Sequence, residues 1–328
     1  MNNLKEIGEF GLIERLTKGL KRSKQMNVGI GDDCAVFQLG GEQLLLSCDA
    51  LIEGVHFRRD WASPEDIGHK AAAAALSDIA AMGGRALCML LTLACPQDAD
   101  VAWLERVYLG VKALAESEHV AIAGGDTTAS PDALMLDVAV VGVVTANRPL
   151  CRSGTRPGDL IAITGYPGCS GLGLKAFERG VDAPPRLREA HLRPRPKLLE
   201  GRYLADYPEV RAMIDVSDGL VQDLGHLARA GGLHINIETT RLPLHDDLVA
   251  CAADMGLNPV DCALFGGEDY ELAFSMAPEQ AEAMLEEVRR QLVSPVTVIG
   301  EASAGASGVT VDGKKVVPGG YNHFQCPK

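Results

Sequence analysis

Acidic residues recur along this chain at the ends of short apolar runs, each beside a glycine or another small residue. Apolar runs that alternate with helical patterns favour an α/β fold, in which ligands bind at the ends of strands. Acids brought together repel one another unless a cation neutralises them, and magnesium is usually held by a few carboxylates plus substrate phosphates. The pattern therefore predicts a multi-magnesium site that handles phosphate. Its members are Asp32, Asp33, Asp49, Asp78, Asp126, Asp215, Asp218, Glu268 and Asp269.

The composition limits the classes of function. With 328 residues the chain is long enough for two domains, and 47% apolar with 23% charged residues is typical of globular proteins. A net charge of −13 argues against a general nucleic-acid or anionic-membrane surface, although bound metal can still attract nucleotides. The nine scattered cysteines fit reduced thiols, no apolar run reaches membrane-spanning length, and the first residues do not resemble a signal peptide. We therefore expect a cytoplasmic protein.

Hydrophobic periodicity predicts alternating helices and strands. The stretch Ser63-Pro64-Glu65-Asp66 has the composition of a helix start, with a serine cap and proline in the first turn. A stretch rich in chain breakers between Ala146 and Gly158 marks a boundary, which gives domains 1–147 and 148–328. In the first domain we predict helices over 6–24, 63–82 and 99–118, strands over 43–48, 87–93 and 134–144, and a short buried strand over 120–123.

Several features also have ordinary structural interpretations. Asp32 and Asp33 could lie in a surface turn, and Ser217 with Asp218 could simply cap a helix that begins near Gly219. The glycine-rich turn 165–173 follows a predicted strand and begins a helix, so its amides could bind a phosphate or its glycines could serve close packing. Neither a Walker A motif nor the protein-kinase motifs occur in the sequence, which argues against those two kinds of nucleotide site.

A family resemblance rests on eight motifs that follow one another along nearly the whole chain. In order they are Gly29-Ile30-Gly31-Asp32-Asp33-Cys34-Ala35, Asp49 with Gly54-Val55-His56-Phe57, Leu76-Ser77-Asp78-Ile79-Ala80-Ala81-Met82-Gly83, Gly124-Gly125-Asp126-Thr127-Thr128, Arg152-Ser153-Gly154, Asp215-Val216-Ser217-Asp218-Gly219-Leu220, Gly267-Glu268-Asp269-Tyr270-Glu271-Leu272 and Gly320-Tyr321-Asn322-His323-Phe324. Together these motifs closely resemble the thiamine-monophosphate kinase family. Singly, several are shared with the wider aminoimidazole ribonucleotide synthetase-like superfamily.

The resemblance implies a two-domain α/β fold of the α+β type, like that of aminoimidazole ribonucleotide synthetase. It further implies a homodimer in which the N-terminal domains pair into a β-barrel, with the nucleotide in the cleft between the two domains. The implied reaction is phosphorylation of thiamine monophosphate by ATP to thiamine diphosphate, with several Mg²⁺ ions. We expect direct in-line transfer without a general base, since the acceptor phosphate is already ionised near neutral pH.

Site residues follow from the resemblance by matching position. The residues matched to magnesium are Asp33, Ser47, Asp49, Asp78, Asp126, Asp215 and Asp218. Those matched to ATP are Tyr108, Gly125, Asp126, Arg152 and Ser217. Those matched to thiamine monophosphate are His56, Glu268 and Tyr321. An aromatic face and a carboxylate suit a cationic thiazolium ring.

Two departures and two rival interpretations accompany the resemblance. Cys48 stands where threonine is common, and Asn322 stands where aspartate is common. A selenophosphate synthetase would need a reactive cysteine in its N-terminal segment, but the first cysteine is Cys34, inside the acid motif. A hydrogenase-maturation enzyme would end in cysteine, whereas Cys326 is followed by two more residues. A magnesium-nucleotide binding module without catalysis is the alternative of another class.

Overall fold

The computed structural model describes residues 3–21, 23–146, 148–279, 281–316, 320–321 and 323–324. Two mixed sheets organise the chain, and both are mostly antiparallel. The first sheet has six strands in the order β1-β2-β3-β6-β4-β5, of which only β4 and β5 pair in parallel. Its strands are β1 (Met26–Val28), β2 (Ala35–Leu39), β3 (Glu42–Ile52), β4 (Gly84–Cys95), β5 (Ala121–Ala129) and β6 (Met135–Val144).

The second sheet has seven strands in the order β13-β12-β9-β11-β7-β10-β8, with β9 and β12 in parallel. Its strands are β7 (Leu160–Thr164), β8 (Val210–Asp215), β9 (His234–Ile237), β10 (Leu272–Met276), β11 (Val296–Ser303), β12 (Gly308–Val311) and β13 (Lys314–Lys315). The observed architecture is thus a two-sheet α/β fold, and neither sheet closes into a barrel within the described part of the chain.

Ten α-helices and one short 3₁₀ helix (Thr239–Arg241) accompany the sheets in the described residues, and the α-helices are numbered α1 to α10. They are α1 (Leu4–Thr17), α2 (Pro64–Ala81), α3 (Val101–Ser117), α4 (Cys169–Arg179), α5 (Pro185–Leu192), α6 (Leu198–Ala205), α7 (Leu220–Gly231), α8 (Asp246–Asp254), α9 (Pro259–Phe265) and α10 (Ala281–Gln291). No single described helix is long and apolar enough to cross a membrane, although α8 and α9, bent by 113° at their junction, satisfy that criterion as a pair.

Helix α2 is the central element that positions the site. It begins at the serine cap that the sequence predicts, and the structure adds a reciprocal capping box between Ser63 and Asp66. The alanines at 71–75 are all buried, and α2 packs against β3, β4 and β6 of the first sheet and β8 of the second. Small residues also bring α2 close to α3: a Cβ added at Gly68 would lie 1.9 Å from the carbonyl oxygen of Val107 on α3. The helix therefore lies between the two sheets with little room to move.

The structure corrects three predicted elements in the first domain. Helix α1 ends at Thr17 rather than near residue 24, and it is interrupted at Gly8, whose φ of 64° lies outside the helical region. Strand β3 continues through Asp49 to Ile52. Strand β5 is neither short nor buried: it extends to Ala129 along the exposed edge of the sheet. Its two glycines, expected to end the strand, continue it with φ of 145° and 155°.

Candidate active site

Three aspartates from three separate elements meet beside α2. Asp33 precedes β2, Asp78 lies on α2, and Asp215 ends β8. One oxygen from each carboxylate lies within 4.8 Å of the others, which is a spacing that can hold a metal ion. Asp33 and Asp215 are buried, with 7% and 3% of their surfaces exposed. The sequence predicted all three as magnesium ligands, and the structure brings them together from both sheets.

Neighbouring polar groups fix the orientation of these carboxylates. The hydroxyl of Ser77 donates to Asp215 Oδ2 over 2.6 Å, and the hydroxyl of Ser47 donates to Asp78. The guanidinium of Arg152 donates to Asp33 Oδ1 over 2.6 Å. The second oxygen of Asp33 is buried and has no hydrogen-bond partner among the residues that the structure describes. An unpartnered, buried carboxylate oxygen beside two more acids is chemically suited to a hard cation, so the residues present fit Mg²⁺.

The electrostatics of the cluster lead to the same inference. Burial and the neighbouring Asp33 raise the pKa of Asp215 from 3.8 to about 7. Burial, together with the charges of Asp49 and Asp215, raises the pKa of Asp78 well above its usual value. Burial also raises the pKa of Asp33, against the opposing charge of Arg152. The metal-free cluster therefore resists full ionisation, and divalent cations would relieve this repulsion.

Asp49 lies at the border of this cluster, in the middle of β3. Burial and the charges of Asp137 and Asp218 raise its pKa to about 6. Asp137, the only acid in the otherwise apolar strand β6, pairs with Ala50 and therefore lies on the face of the sheet opposite Asp49. Cys48 points to the opposite, exposed face of β3, because side chains alternate along a strand. The loss of a threonine hydroxyl at that position therefore does not alter the side of the strand that carries Asp49.

A second group with metal-binding geometry lies at the start of α7. Asp218, Asp223 and His226 place one ligand atom each within 4.8 Å of one another. Asp223 Oδ2 accepts the backbone N–H groups of Asp218 and Gly219, over 3.1 and 3.0 Å. Burial, with a contribution from nearby arginines, lowers the pKa of His226 to about 3, so the imidazole is neutral. The sequence predicted only Asp218; the i,i+3 spacing of the other two was the available signal.

The residues predicted to contact thiamine monophosphate lie in segments that approach one another beside Ser217 and Asp218. Tyr321 donates its backbone N–H to the carbonyl of Asp218 over 3.0 Å. The ring of His323 lies 4.9 Å from that of Tyr321 and 5.1 Å from that of His56. Glu268 donates its backbone N–H to the carbonyl of Ser217 over 2.7 Å. These two backbone hydrogen bonds, to Asp218 and Ser217, hold Tyr321 and Glu268 next to the acidic site. Asn322 lies outside the described residues.

Three predicted residues lie apart from the acid cluster. Gly125 and Asp126 are on the exposed edge strand β5, and Tyr108 is half-exposed on α3. Neither of the two groups with metal-binding geometry among the described residues includes Asp126. The absence of a side chain at Gly125 matters for the sheet, since a Cβ there would lie 1.8 Å from the carbonyl oxygen of Leu91. The assignment of these residues to ATP or metal stays a prediction.

The glycine-rich turn before α4 binds the side chain of Asp269, whose pKa burial raises from 3.8 to about 8. Asp269 is buried and accepts the N–H groups of Gly168 and Ser170, over 2.5 and 3.0 Å. A carboxyl group thus accepts two amide N–H groups at the helix N-terminus where a phosphate could have bound. A Cβ at Gly168 would lie 2.5 Å from the carbonyl oxygen of Cys262, so the turn is also tightly packed. Of the two interpretations of this turn, close packing is the correct one.

Comparison with known proteins identifies the family to which this chain is similar. The chain matches the AIR synthase related protein N-terminal domain over residues 31–144 and the corresponding C-terminal domain over 156–312. It is 38% identical to thiamine-monophosphate kinase of Aquifex aeolicus (strain VF5) over 325 residues, which cover 98% of this chain and 99% of that protein. The enzyme of the same name from Salmonella typhimurium (strain LT2) is also 38% identical, over 331 residues, with coverages of 98% and 99%. The solved structure of AaThiL complexed with AMPPCP and TMP superposes with a TM-score of 0.88 at 38% identity, covering 99% of both chains.

Proposed function

This chain belongs to the thiamine-monophosphate kinase family, and we propose from this premise that it phosphorylates thiamine monophosphate with ATP to give thiamine diphosphate. The observation that carries the proposal is the buried cluster of Asp33, Asp78 and Asp215, which draws acids from both sheets into one site. The full-length similarity to the complex of AaThiL with AMPPCP and TMP supports both substrates.

We propose that several Mg²⁺ ions bind at this site. Asp33, Asp78 and Asp215 would hold them, with Asp49 at the border and Asp218 on a further ion. When bound, the ions would supply the positive charge that offsets two anionic phosphates. Ser47 donates its hydroxyl to Asp78, so we assign it to orienting that carboxylate beside the metal. Asp126, predicted from the family as another ligand, would have to reach the metals from the exposed strand β5.

The reaction needs approach and alignment more than proton transfer. The terminal oxygen of a phosphate monoester is already a nucleophile near neutral pH, so the site requires no general base. We propose that this oxygen attacks the γ-phosphorus of ATP in line with the departing ADP, without a phosphoenzyme. Arg152 provides a fixed cation in the same site, and its guanidinium holds Asp33. Ser217, Gly125, Asp126 and Tyr108 stay predicted ATP contacts.

We further propose a homodimer that covers one face of the first sheet. Leu46, Ile52 and Leu90 point away from α2 and are 37%, 37% and 42% exposed. Adjacent strands place Ala139 and Val141 on this same face by their register. A second copy of the chain would bury these residues and the edge strand β5, and two such sheets would form the barrel that the family resemblance implies.

A direct assay tests the proposed reaction. Purified protein is incubated with ATP, Mg²⁺ and thiamine monophosphate, and thiamine diphosphate is quantified by chromatography, with unphosphorylated thiamine as the control acceptor. We expect diphosphate formation that requires both Mg²⁺ and the monophosphate. Failure to form thiamine diphosphate, with ATP binding retained, would refute the proposal. A cytoplasmic location stays a prediction, which fractionation of the native host would test.

A further inference from the structure

Lys70 is a buried cation whose role the assignments above leave unexplained. It lies on α2 directly before the alanine run, and only 3% of its surface is exposed. A lysine is rarely buried to this extent unless its ammonium group is paired. Here Nζ lies 2.8 Å from Glu268 Oε1 and donates to the carbonyl oxygen of His56 over 3.0 Å. Both partners are residues predicted to contact thiamine monophosphate.

The two partners belong to different halves of the molecule. His56 follows β3 of the first sheet, and Glu268 precedes β10 of the second sheet. The ammonium of Lys70 therefore joins the substrate-contacting segments of both halves from the rigid helix between them. At His56 it binds the backbone, and the imidazole Nδ1 accepts the N–H of Ile52 over 2.9 Å. This arrangement fixes the position of the His56 segment without engaging its ring.

The Glu268 segment is constrained from its backbone as well. Glu268 has a φ of 61°, in the left-handed region that non-glycine residues seldom adopt. A Cβ at the preceding Gly267 would lie 2.8 Å from the carbonyl oxygen of Ser217, so this segment is closely packed. Lys70 provides the polar contact that completes this arrangement at the side-chain end. The carboxylate consequently has a defined direction before any substrate binds.

The charge state of Glu268 also depends on Lys70. Burial favours the neutral acid, but Lys70, with smaller contributions from His191 and His56, more than compensates, and the pKa of Glu268 is lowered. The other neighbour, His191, lies 3.4 Å from Oε2 of Glu268. Burial and Lys70 lower the pKa of His191 to about 3, so this imidazole is neutral at physiological pH. The ammonium group is thus the cation that keeps the carboxylate ionised.

We propose that Lys70 is a positioning residue for the organic, cationic part of the acceptor, because it holds Glu268 and the His56 segment in one arrangement across the two halves of the site. This inference rests on the proposed function. Lys70 acts through these two partners and does not itself contact the reacting phosphates. Its loss therefore weakens recognition of thiamine monophosphate and leaves the binding of ATP intact.

Steady-state kinetics of Lys70→Met test this role, because methionine retains most of the volume and removes the charge. We expect the KM for thiamine monophosphate to rise by about tenfold or more, as for loss of one partner of a buried charge pair, while the KM for ATP stays within about twofold. The conservative variant Lys70→Arg keeps the charge and should recover part of the loss.

Lys197 provides a matched control for loss of a buried, ion-paired lysine. It is 8% exposed, and its Nζ lies 3.0 Å from Glu271 and 3.2 Å from Ser294. Lys197→Met should lower thermal stability without a selective change in the KM for thiamine monophosphate. A double-mutant cycle adds a second readout: in the Glu268→Gln background, Lys70→Met should cost much less than it does alone, since the shared partner is already altered.

The outcomes separate the inference from the proposed function. A wild-type chain that forms no thiamine diphosphate overturns both. If the wild type is active and folded Lys70→Met keeps its KM for the acceptor, the inference alone is wrong. It is equally wrong if the variant raises both KM values alike, if Lys197→Met gives the same selective effect, or if the two substitutions are additive. A selective, non-additive rise in the acceptor KM supports it.

Discussion

Replacing Asp215 by Asn should stabilise the metal-free protein at neutral and alkaline pH while it removes activity. The pKa of Asp215 rises from 3.8 to about 7 on folding because of burial and the neighbouring Asp33. This rise corresponds to roughly 4 kcal/mol, at about 1.36 kcal/mol for each pH unit. Because several acids share the cluster, we take this value as an upper bound for the effect of removing one of them.

The sign of the pH dependence follows from proton binding. Between pH 3.8 and about 7 the folded protein retains a proton on Asp215 that the unfolded chain has lost. Stability without metal therefore decreases as the pH rises through this window. Asparagine keeps an oxygen that can accept the hydrogen bond of Ser77 but carries no charge, so its contribution to stability should not change with pH.

Thermal unfolding in EDTA between pH 5 and pH 8 measures the effect, with a parallel series in Mg²⁺. We expect Tm of the wild type to fall across this range and Tm of Asp215→Asn to fall less, so that the variant is the more stable protein at pH 8. Magnesium should raise Tm of the wild type more than that of the variant. Exposed Asp254 offers the control substitution Asp254→Asn. A variant that is less stable than the wild type at pH 8 in EDTA, with an unchanged pH dependence, would refute the reasoning.

Three further perturbations test other parts of the structure. Leu90→Lys places a charge on the exposed apolar sheet face, so we expect a dimer to dissociate in light scattering; an unchanged dimer would place the interface elsewhere. Asp269→Ala removes the acceptor of two buried N–H groups, so chemical denaturation should show a free energy of unfolding lower by about 1–3 kcal/mol, with an unchanged KM for ATP. A selective rise in the KM for ATP would instead indicate that this turn contacts the nucleotide. Glu268→Gln should raise the KM for thiamine monophosphate more than it raises the KM for ATP. An equal rise in both KM values would argue against an acceptor contact.

The sequence was most informative where a local pattern has a direct physical cause. The serine cap, proline and acids of Ser63-Pro64-Glu65-Asp66 predicted the start of α2. The recurrent acids predicted the meeting of Asp33, Asp78 and Asp215, since repulsion among them has a chemical explanation only if they share a cation. The family resemblance was needed for the acceptor, because no local pattern specifies a thiazolium ring.

Other features depend on tertiary contacts that a single sequence does not contain. Lys70 precedes five alanines and has the pattern of an ordinary helix lysine, whereas its partners lie 14 residues before it and almost 200 residues after it. Gly124 and Gly125 have the pattern of a chain break, yet they continue β5 because this strand pairs with β4. The turn at 165–173 has the pattern of a phosphate loop, but distant Asp269 occupies its amides.

The rigidity of α2 gives the site a fixed length. Lys70 and Asp78 are eight residues apart on this helix, or about 12 Å along its axis at 1.5 Å per residue. Lys70 marks the end of the site that would hold the organic cation, and Asp78 marks the end that would hold the reacting phosphates. A helix packed this closely cannot shift to shorten the interval. The site would therefore select its acceptor by length: an alcohol that lacks the first phosphate could bind at the Lys70 end but would not extend to the Asp78 end.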